Sequence, residues 1–455
     1  MTTISTLRAG GRSLLTGLIA LTLTAAPAFA QDVARMDEVI RAFTDRDAFS
    51  GAVLVARGDE ILLDRGYGLA NREWAIPNDG DTKFRLGSVS KQFTAVAILQ
   101  LRERGLVDLD APIRAWFPDA PASWNAITPR HLLTHTAGLP NVTDLDGFQA
   151  YKMQDTTPEA TIALFRDLPL DFQPGEGWAY SNSGYLLLTA IVEKASGQSY
   201  ADYLVEHLLR PLGMADTGYD VSSVILPRRA SGYTPTRTRG VVNAEYVNMV
   251  IPQGAGALYS TTRDLLKWEQ GLFGGRLLSP ESLTLLTTPV RNDYAFGLIV
   301  KPEGDGAIVQ HSGGIEGFNT WMGRDTGSAM TVIVLGNLNG RGPDRIGADL
   351  LTLANGGTVA TPEEREAVAL PAETLRAYAG VYDLAPDFAI TVTETDGRLI
   401  AQATRQPPFE LFAEGPDAFF LRVIDARVTF SRDASGAVDG LILHQNGREA
   451  PARKR

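Results

Sequence analysis

Two strand-like runs near the start of this chain find their next equals only after a long helical stretch. Gly51 to Arg57 (GAVLVAR) and Glu60 to Asp64 are short apolar runs joined by the turn Gly58-Asp59. Strand signals return at Phe296 to Val300, Gly306 to Gln310, Thr320 to Gly323 and Met330 to Leu335. Between them the chain reads as helix and loop, with helical patterns at Pro158 to Leu168, Tyr185 to Ala195, Tyr200 to Leu209 and Thr262 to Leu272. Strands at both ends of a helical region predict one α/β domain whose sheet is closed by segments distant in sequence.

An amphipathic helix is expected at Val33 to Thr44, and Ser88 opens a helical pattern that carries Phe93, Val96, Ala97 and Leu101 on one side and ends near Gly105. Residues 339–355 add a further helix, so the α/β domain is expected over residues 31–355. Gly356 to Pro371, with Gly-Gly and a Glu/Arg run, reads as a linker. Beyond it Phe388, Ile390 and Val392 alternate with Ala389, Thr391 and Thr393, and Asp396-Gly397 turns the chain into a second strand. Residues 372–455 thus predict a small all-β barrel or sandwich of about eight short antiparallel strands.

Arg8 and Arg12 precede the short apolar stretch Leu14 to Ala25, and Ala28-Phe29-Ala30 then offers a small-x-small cleavage site. Residues 1–30 are expected to be a signal peptide cut between Ala30 and Gln31, delivering the protein to the periplasm or the medium. The stretch is too short for a ~30 Å hydrocarbon core, so no stable membrane anchor is expected. The chain of 455 residues holds no cysteine, which excludes disulfides, thiol nucleophiles and thiolate metal sites. Its formal charge of −11 repels phosphate backbones and argues against nucleic acid as a partner.

The most suggestive chemistry is Ser88-Val-Ser-Lys91. Spaced i, i+3 in the first turn of a helix, a hydroxyl and an amine share one face. A lysine neutralised by burial can take the hydroxyl proton, and the Ser88 N–H at the positive helix end can stabilise an oxyanion. With 20 serines and 7 lysines, one chance Ser-x-x-Lys is expected about 0.3 times, so the spacing alone decides little. Tyr180-Ser-Asn182 supplies a phenol and an amide, although Tyr246-Val-Asn248 repeats the pattern. His311-Ser-Gly-Gly314 follows a strand-like run, and its glycines let backbone approach a ligand closely.

In this order the three motifs resemble the serine β-lactamase and penicillin-binding-protein set. The stretches Phe84 to Thr94, His131 to Pro140 and Gln253 to Leu266 resemble class C β-lactamase-related hydrolases, a group that includes D-aminopeptidases, carboxypeptidases and esterases. From Tyr378-Ala-Gly-Val-Tyr382 onward the chain resembles the lipocalin-like barrel appended to some of these peptidases. The resemblance implies a β-lactamase/transpeptidase-like antiparallel sheet with an inserted all-helical region. It implies Ser88 as the acylated nucleophile and Lys91 as its proton acceptor, with Tyr180 passing a proton to the leaving group. Asn182 would orient Lys91 and the substrate, and the N–H groups of Ser88 and Gly314 would form the oxyanion hole. Whether Lys91 or Tyr180 is the main base stays open.

His311 stands where class C β-lactamases carry lysine, so a fixed cation for a substrate carboxylate is missing, and efficient β-lactam hydrolysis is not expected. Gly313, Trp178 and Phe318 are candidates for substrate binding, with Trp321 beside them; ordinary core packing is the alternative for the aromatics. His131 and His135 have a zinc-compatible spacing, but no Glu lies between them and no third ligand is evident. The expectation is therefore an exported serine hydrolase of small peptides or short esters, using neither metal nor cofactor. The alternatives are a receptor that is acylated without turnover, or a weak β-lactamase. Oligomeric state is not legible.

Overall fold

The computed structural model describes residues 26–455 apart from 237–238, 360–366, 387, 405, 407, 422–425 and 446–447. The leader expectation therefore falls largely on residues outside the described ones. Among the described residues no helix is long and apolar enough to cross a membrane.

Six antiparallel strands form the main sheet: β1 (Gly51–Arg57), β2 (Glu60–Tyr67), β3 (Ile299–Glu303), β4 (Gly306–Ile315), β5 (Phe318–Asp325) and β6 (Met330–Gly336), in the order β3-β4-β5-β6-β1-β2. The N-terminal hairpin is thus zipped onto the last strand of the sheet, with Gly51 opposite Gly336 and Arg57 opposite Met330. The reason lies in the sequence of β1. Its run is apolar at every position from Ala52 to Ala56, so both faces must be covered.

Period-two alternation sends Ala52, Leu54 and Ala56 into the large core shared with the helical region. Val53 and Val55 go to the second core, where α1 (Ala26–Thr44) and α5 (Gly342–Ala354) cover the opposite face. β6 divides in the same way, with Ile333 and Leu335 on one side and Met330, Val332 and Val334 on the other.

The central helix α2 (Ser90–Glu103) is buried along nearly its whole length, with Lys91 among its buried residues. α3 (Asn182–Ser196) and α4 (Thr262–Phe273) pack in the same core. The inserted region is not purely helical. Phe84–Arg85, Leu258–Ser260 and Gly218–Tyr219 form a three-stranded sheet, and Tyr233–Thr236 pairs with Gly240–Asn243. These runs of two to four residues are too short to leave an alternating pattern. The strand expected at Phe296 to Val300 begins instead at Ile299, because Gly297 turns at φ +69° against the Lys91 carbonyl.

Eight strands from Gly380–Ala385 to Arg448–Lys454 form a closed antiparallel barrel. Pairing of Tyr382 with Lys454 joins the first strand to the last. Its core is separate from those of the main sheet and is built around Tyr378, Tyr382, Phe419 and Phe430. The Tyr378 and Phe430 rings lie 4.6 Å apart.

Glu269 on α4 is 4% exposed, and one of its carboxylate oxygens has no hydrogen-bond partner among the described residues. Burial pushes its pKa from 4.5 up to about 7, against the pull of Arg324. Between these two values the folded chain holds a proton that the unfolded chain has lost, so stability falls as pH rises through this window. A shift of that size corresponds to about 3 kcal/mol above pH 7. Glu269→Gln is expected to flatten the fall, so its melting temperature gains on wild type between pH 5 and pH 8. Thermal denaturation across that range checks this, and parallel curves for the two proteins would refute it.

Candidate active site

Ser88 does not begin the α-helix, as the sequence pattern suggested. It lies in a single 3₁₀ turn, Gly87–Val89, and α2 starts at Ser90. The cause is Gly87, whose φ of +54° makes the chain turn tightly just before the serine. The same glycine allows a close approach: a Cβ there would stand 2.7 Å from the Gly314 nitrogen. One residue earlier in β4, a Cβ on Gly313 would collide with the Leu86 carbonyl at 2.0 Å. Two glycines of β4 and one of the serine turn thus bring two stretches of backbone into contact, and Ser88 and Gly314 line one cavity.

Lys91 lies one helical turn on and is completely buried. Its Nζ is 3.0 Å from Ser88 Oγ, 2.8 Å from Asn182 Oδ1 and 2.8 Å from the Ala255 carbonyl. Burial alone pushes its pKa well below the ordinary lysine value. A neutral amine has two protons and one lone pair. Asn182 Oδ1 and the Ala255 carbonyl can only accept, so they take the two protons. In the deprotonated amine that burial favours, the lone pair is left facing the serine hydroxyl, which can then donate to it.

Each of these partners is itself held. Asn182 opens α3; its backbone N–H and side-chain amide both donate to Asn141 Oδ1, at 2.9 and 3.2 Å. The Ala255 carbonyl reaches Lys91 because Gly254 lacks a side chain: a Cβ there would stand 2.5 Å from the hydroxyls of Thr94 and Thr189. Burial raises the Tyr180 phenol above the ordinary tyrosine value, against the pull of the nearby Ser88 hydroxyl. The Lys91 Nζ lies 4.9 Å from the Tyr180 ring centre.

His135 explains why Tyr180 is fixed there. Its carbonyl accepts from the Ala179 N–H at 3.1 Å, and its Nδ1 accepts from the Ser181 N–H at 3.2 Å, so it holds the residues on both sides of the tyrosine. His131 Nδ1 accepts from the Thr128 N–H and caps its short helix. Both imidazoles thus serve the backbone.

His311 lies within β4 and is 4% exposed, rather than just past the strand end as its motif suggested. Its Nδ1 donates to the Ser312 carbonyl at 2.5 Å, so Nε2 accepts from the Tyr294 hydroxyl at 3.1 Å. Burial holds its pKa down at about 4, so it carries no charge at neutral pH.

The cavity in front of Ser88 has a volume of about 440 Å³. Asn182, Gly256 and Gly314 line it near the serine, and Val142, Phe148, Leu186, Val247, Ile251 and Ile315 make its apolar walls. Three residues expected at the substrate are placed elsewhere. Phe318 is 3% exposed in the main core with the Arg85 guanidinium over its ring. Trp178 packs edge-on against His135. Gly313 is buried beneath the serine turn, where its lack of a side chain is what matters. Trp321, three positions after Phe318, faces the opposite side of the sheet and joins the second core. Asn141, the Ala255 carbonyl and the walls of the cavity were missed by sequence reasoning. Asn141 directly follows the His131 to Pro140 stretch, but no spacing to Asn182 marks it.

Residues 36–356 match the protein family described as Beta-lactamase, and residues 364–453 match a Domain of unknown function (DUF3471). The chain is 31% identical to Penicillin-binding protein 4* of Bacillus subtilis (strain 168) over 435 residues, covering 90% of this chain and 95% of that protein. It is 36% identical over 239 residues to Esterase EstB of Burkholderia gladioli, covering 49% and 60%. The crystal structure of D-amino acid amidase from Ochrobactrum anthropi SV3 complexed with L-phenylalanine amide aligns with a TM-score of 0.62 at 26% identity, covering 72% of this chain and 99% of that one. With its fold, its ordered motifs and this match in hand, the chain belongs to the beta-lactamase family and is a serine hydrolase.

Proposed function

We propose that the protein is an exported amidase or esterase that cleaves small peptides, amides or short esters through an acyl-enzyme on Ser88. The observation that carries this reading is the fully buried Lys91 amine, its pKa pushed well below the ordinary lysine value, with Nζ 3.0 Å from Ser88 Oγ. In acylation the Ser88 oxygen attacks the carbonyl carbon while its proton passes to Lys91. The oxyanion accepts from the N–H groups of Ser88 and Gly314. Tyr180, protonated at neutral pH, gives its proton to the leaving amine or alcohol, and the proton that Lys91 took from Ser88 then restores the phenol. Water then attacks the ester with the same groups acting in reverse, releasing the acid and restoring Ser88.

The neutral His311 supports small amides and esters over β-lactams, since it offers no fixed cation to a ring carboxylate. Names among the relatives point the same way, one an esterase and one a D-amino acid amidase. The test is product release from a short nitrophenyl ester, a D-alanine anilide, a D-alanyl-D-alanine peptide and a cephalosporin. Turnover of the ester or the anilide well above that of the cephalosporin is expected. Cephalosporin as the best substrate would overturn the assignment, and a stable Ser88 adduct without product would favour a receptor.

All residues lining the cavity lie between Gly87 and Asn339, and none belongs to the barrel. We therefore read the barrel as a docking module, with residues 356–371 as the linker before it. Removing residues 367–455 is expected to leave kcat/KM for a small ester within about two-fold. A widened substrate range after the deletion would show instead that the barrel restricts entry.

A further inference from the structure

Among the described residues, the wall of the cavity carries a single lysine, and that lysine is already paired. Lys152 lines the cavity, is 4% exposed, and has Glu316 Oε1 at 2.7 Å and Glu245 Oε2 at 3.1 Å from its Nζ. The carboxylates of Glu316 and, next, Glu245 overcome the penalty of burial and hold Lys152 charged. Lys152 and Glu316 pair on the wall itself, and Glu245, 72% exposed and outside the lining, adds a second carboxylate beside Lys152. Glu316 itself lines the cavity, two residues past Gly314 in the turn between β4 and β5. Among the described residues, no other charged side chain lines the cavity.

We propose that Glu316, balanced by Lys152, sets the charge selectivity of the acyl pocket, so that acyl groups ending in an ammonium are favoured and those ending in a carboxylate are rejected. The proposal rests on the acyl-enzyme reading for its kinetics, though not for its binding. Within such a partly desolvated cavity, one unit charge several ångströms away changes the preference by about ten-fold. The apolar walls would take the methylene chain and Glu316 its charged end.

The test uses nitrophenyl esters of matched length ending in an ammonium, a methyl group or a carboxylate. The ratio of kcat/KM for the first to that for the third is measured in wild type, Glu316→Gln and Lys152→Met. Wild type is expected to prefer the ammonium ester. Glu316→Gln should lower the ratio by about ten-fold and Lys152→Met should raise it by a similar factor. Opposite shifts cannot come from simple damage to the fold, and the methyl ester corrects for any general loss. A wild-type ratio near one, or a ratio moved in the same direction or not at all by the two variants, would overturn the proposal. If none of the three esters is turned over, the acyl-enzyme reading fails, and calorimetry of Ser88→Ala protein with hexylamine and with hexanoate decides the pocket question. Stronger binding of hexylamine supports the proposal; equal, reversed or undetectable binding refutes it.

Discussion

Replacing Lys91 by methionine is expected to remove turnover almost as completely as replacing Ser88 by alanine, lowering kcat by about 10²–10⁴-fold. The two residues act as one unit, so the double variant should lose little more than either alone. Methionine matches the length of the lysine stem and suits a fully buried site, whereas the amine is disfavoured there. Loss of activity should therefore come without a matching loss of melting temperature. Lys91→Arg sharpens the point. A guanidinium keeps positive charge but cannot give up its proton at any pH a protein survives, so it has no lone pair to offer Ser88. If charge were what Lys91 supplied, arginine would rescue; on the present account it does not. Steady-state kinetics on a short ester, with melting curves for each variant, check both statements.

The second large effect is expected at Gly87, a residue with no side chain to take part in chemistry. Gly87→Ala would place a methyl group 2.7 Å from the Gly314 nitrogen and 3.0 Å from its carbonyl carbon, in a backbone conformation of φ +54°. Neither neighbour is a flexible side-chain end, so either the serine turn or β4 must move. The left-handed conformation adds roughly 1–2 kcal/mol of strain for alanine. Moving these segments apart misaligns the two N–H groups meant for the oxyanion. The expected result is a fall in kcat of about 10²–10³-fold, the effect of losing one such donor. KM should change far less, because the apolar walls are untouched. An unchanged kcat in a folded Gly87→Ala protein would mean that Gly314 is not the second donor.

What the sequence made legible follows from which signals are local. The strand run GAVLVAR is apolar at consecutive positions and was legible as a strand, while its covering on both faces came from the structure. The barrel's alternation at Phe388 to Thr393 was equally clear. Ser88, Lys91, Tyr180 and Asn182 could be named because three short motifs occur in a fixed order, and the structure brings these four side chains together. Side-chain direction was harder to see. Phe318 and Trp321 sit beside the motif in sequence, yet strand pleating and packing turn both into cores. Asn141 and Lys152 reach the site by loop paths that no periodicity records. The tight turn at Ser88 was read as the start of a helix because Gly87's positive φ is a conformational fact, invisible to a count of apolar positions.

Substrate and catalysis both turn on whether Ser88 is acylated with Lys91 as its base. The most direct measurement is rapid acid quenching during turnover of a slowly deacylated ester, followed by mass analysis of the intact protein and its peptides. The account predicts one added acyl group on the peptide containing Ser88 in wild type. It predicts the same adduct, formed more slowly by two orders of magnitude or more, in Lys91→Met, and none in Ser88→Ala. An adduct on another residue, or turnover by Ser88→Ala at the wild-type rate, would contradict it.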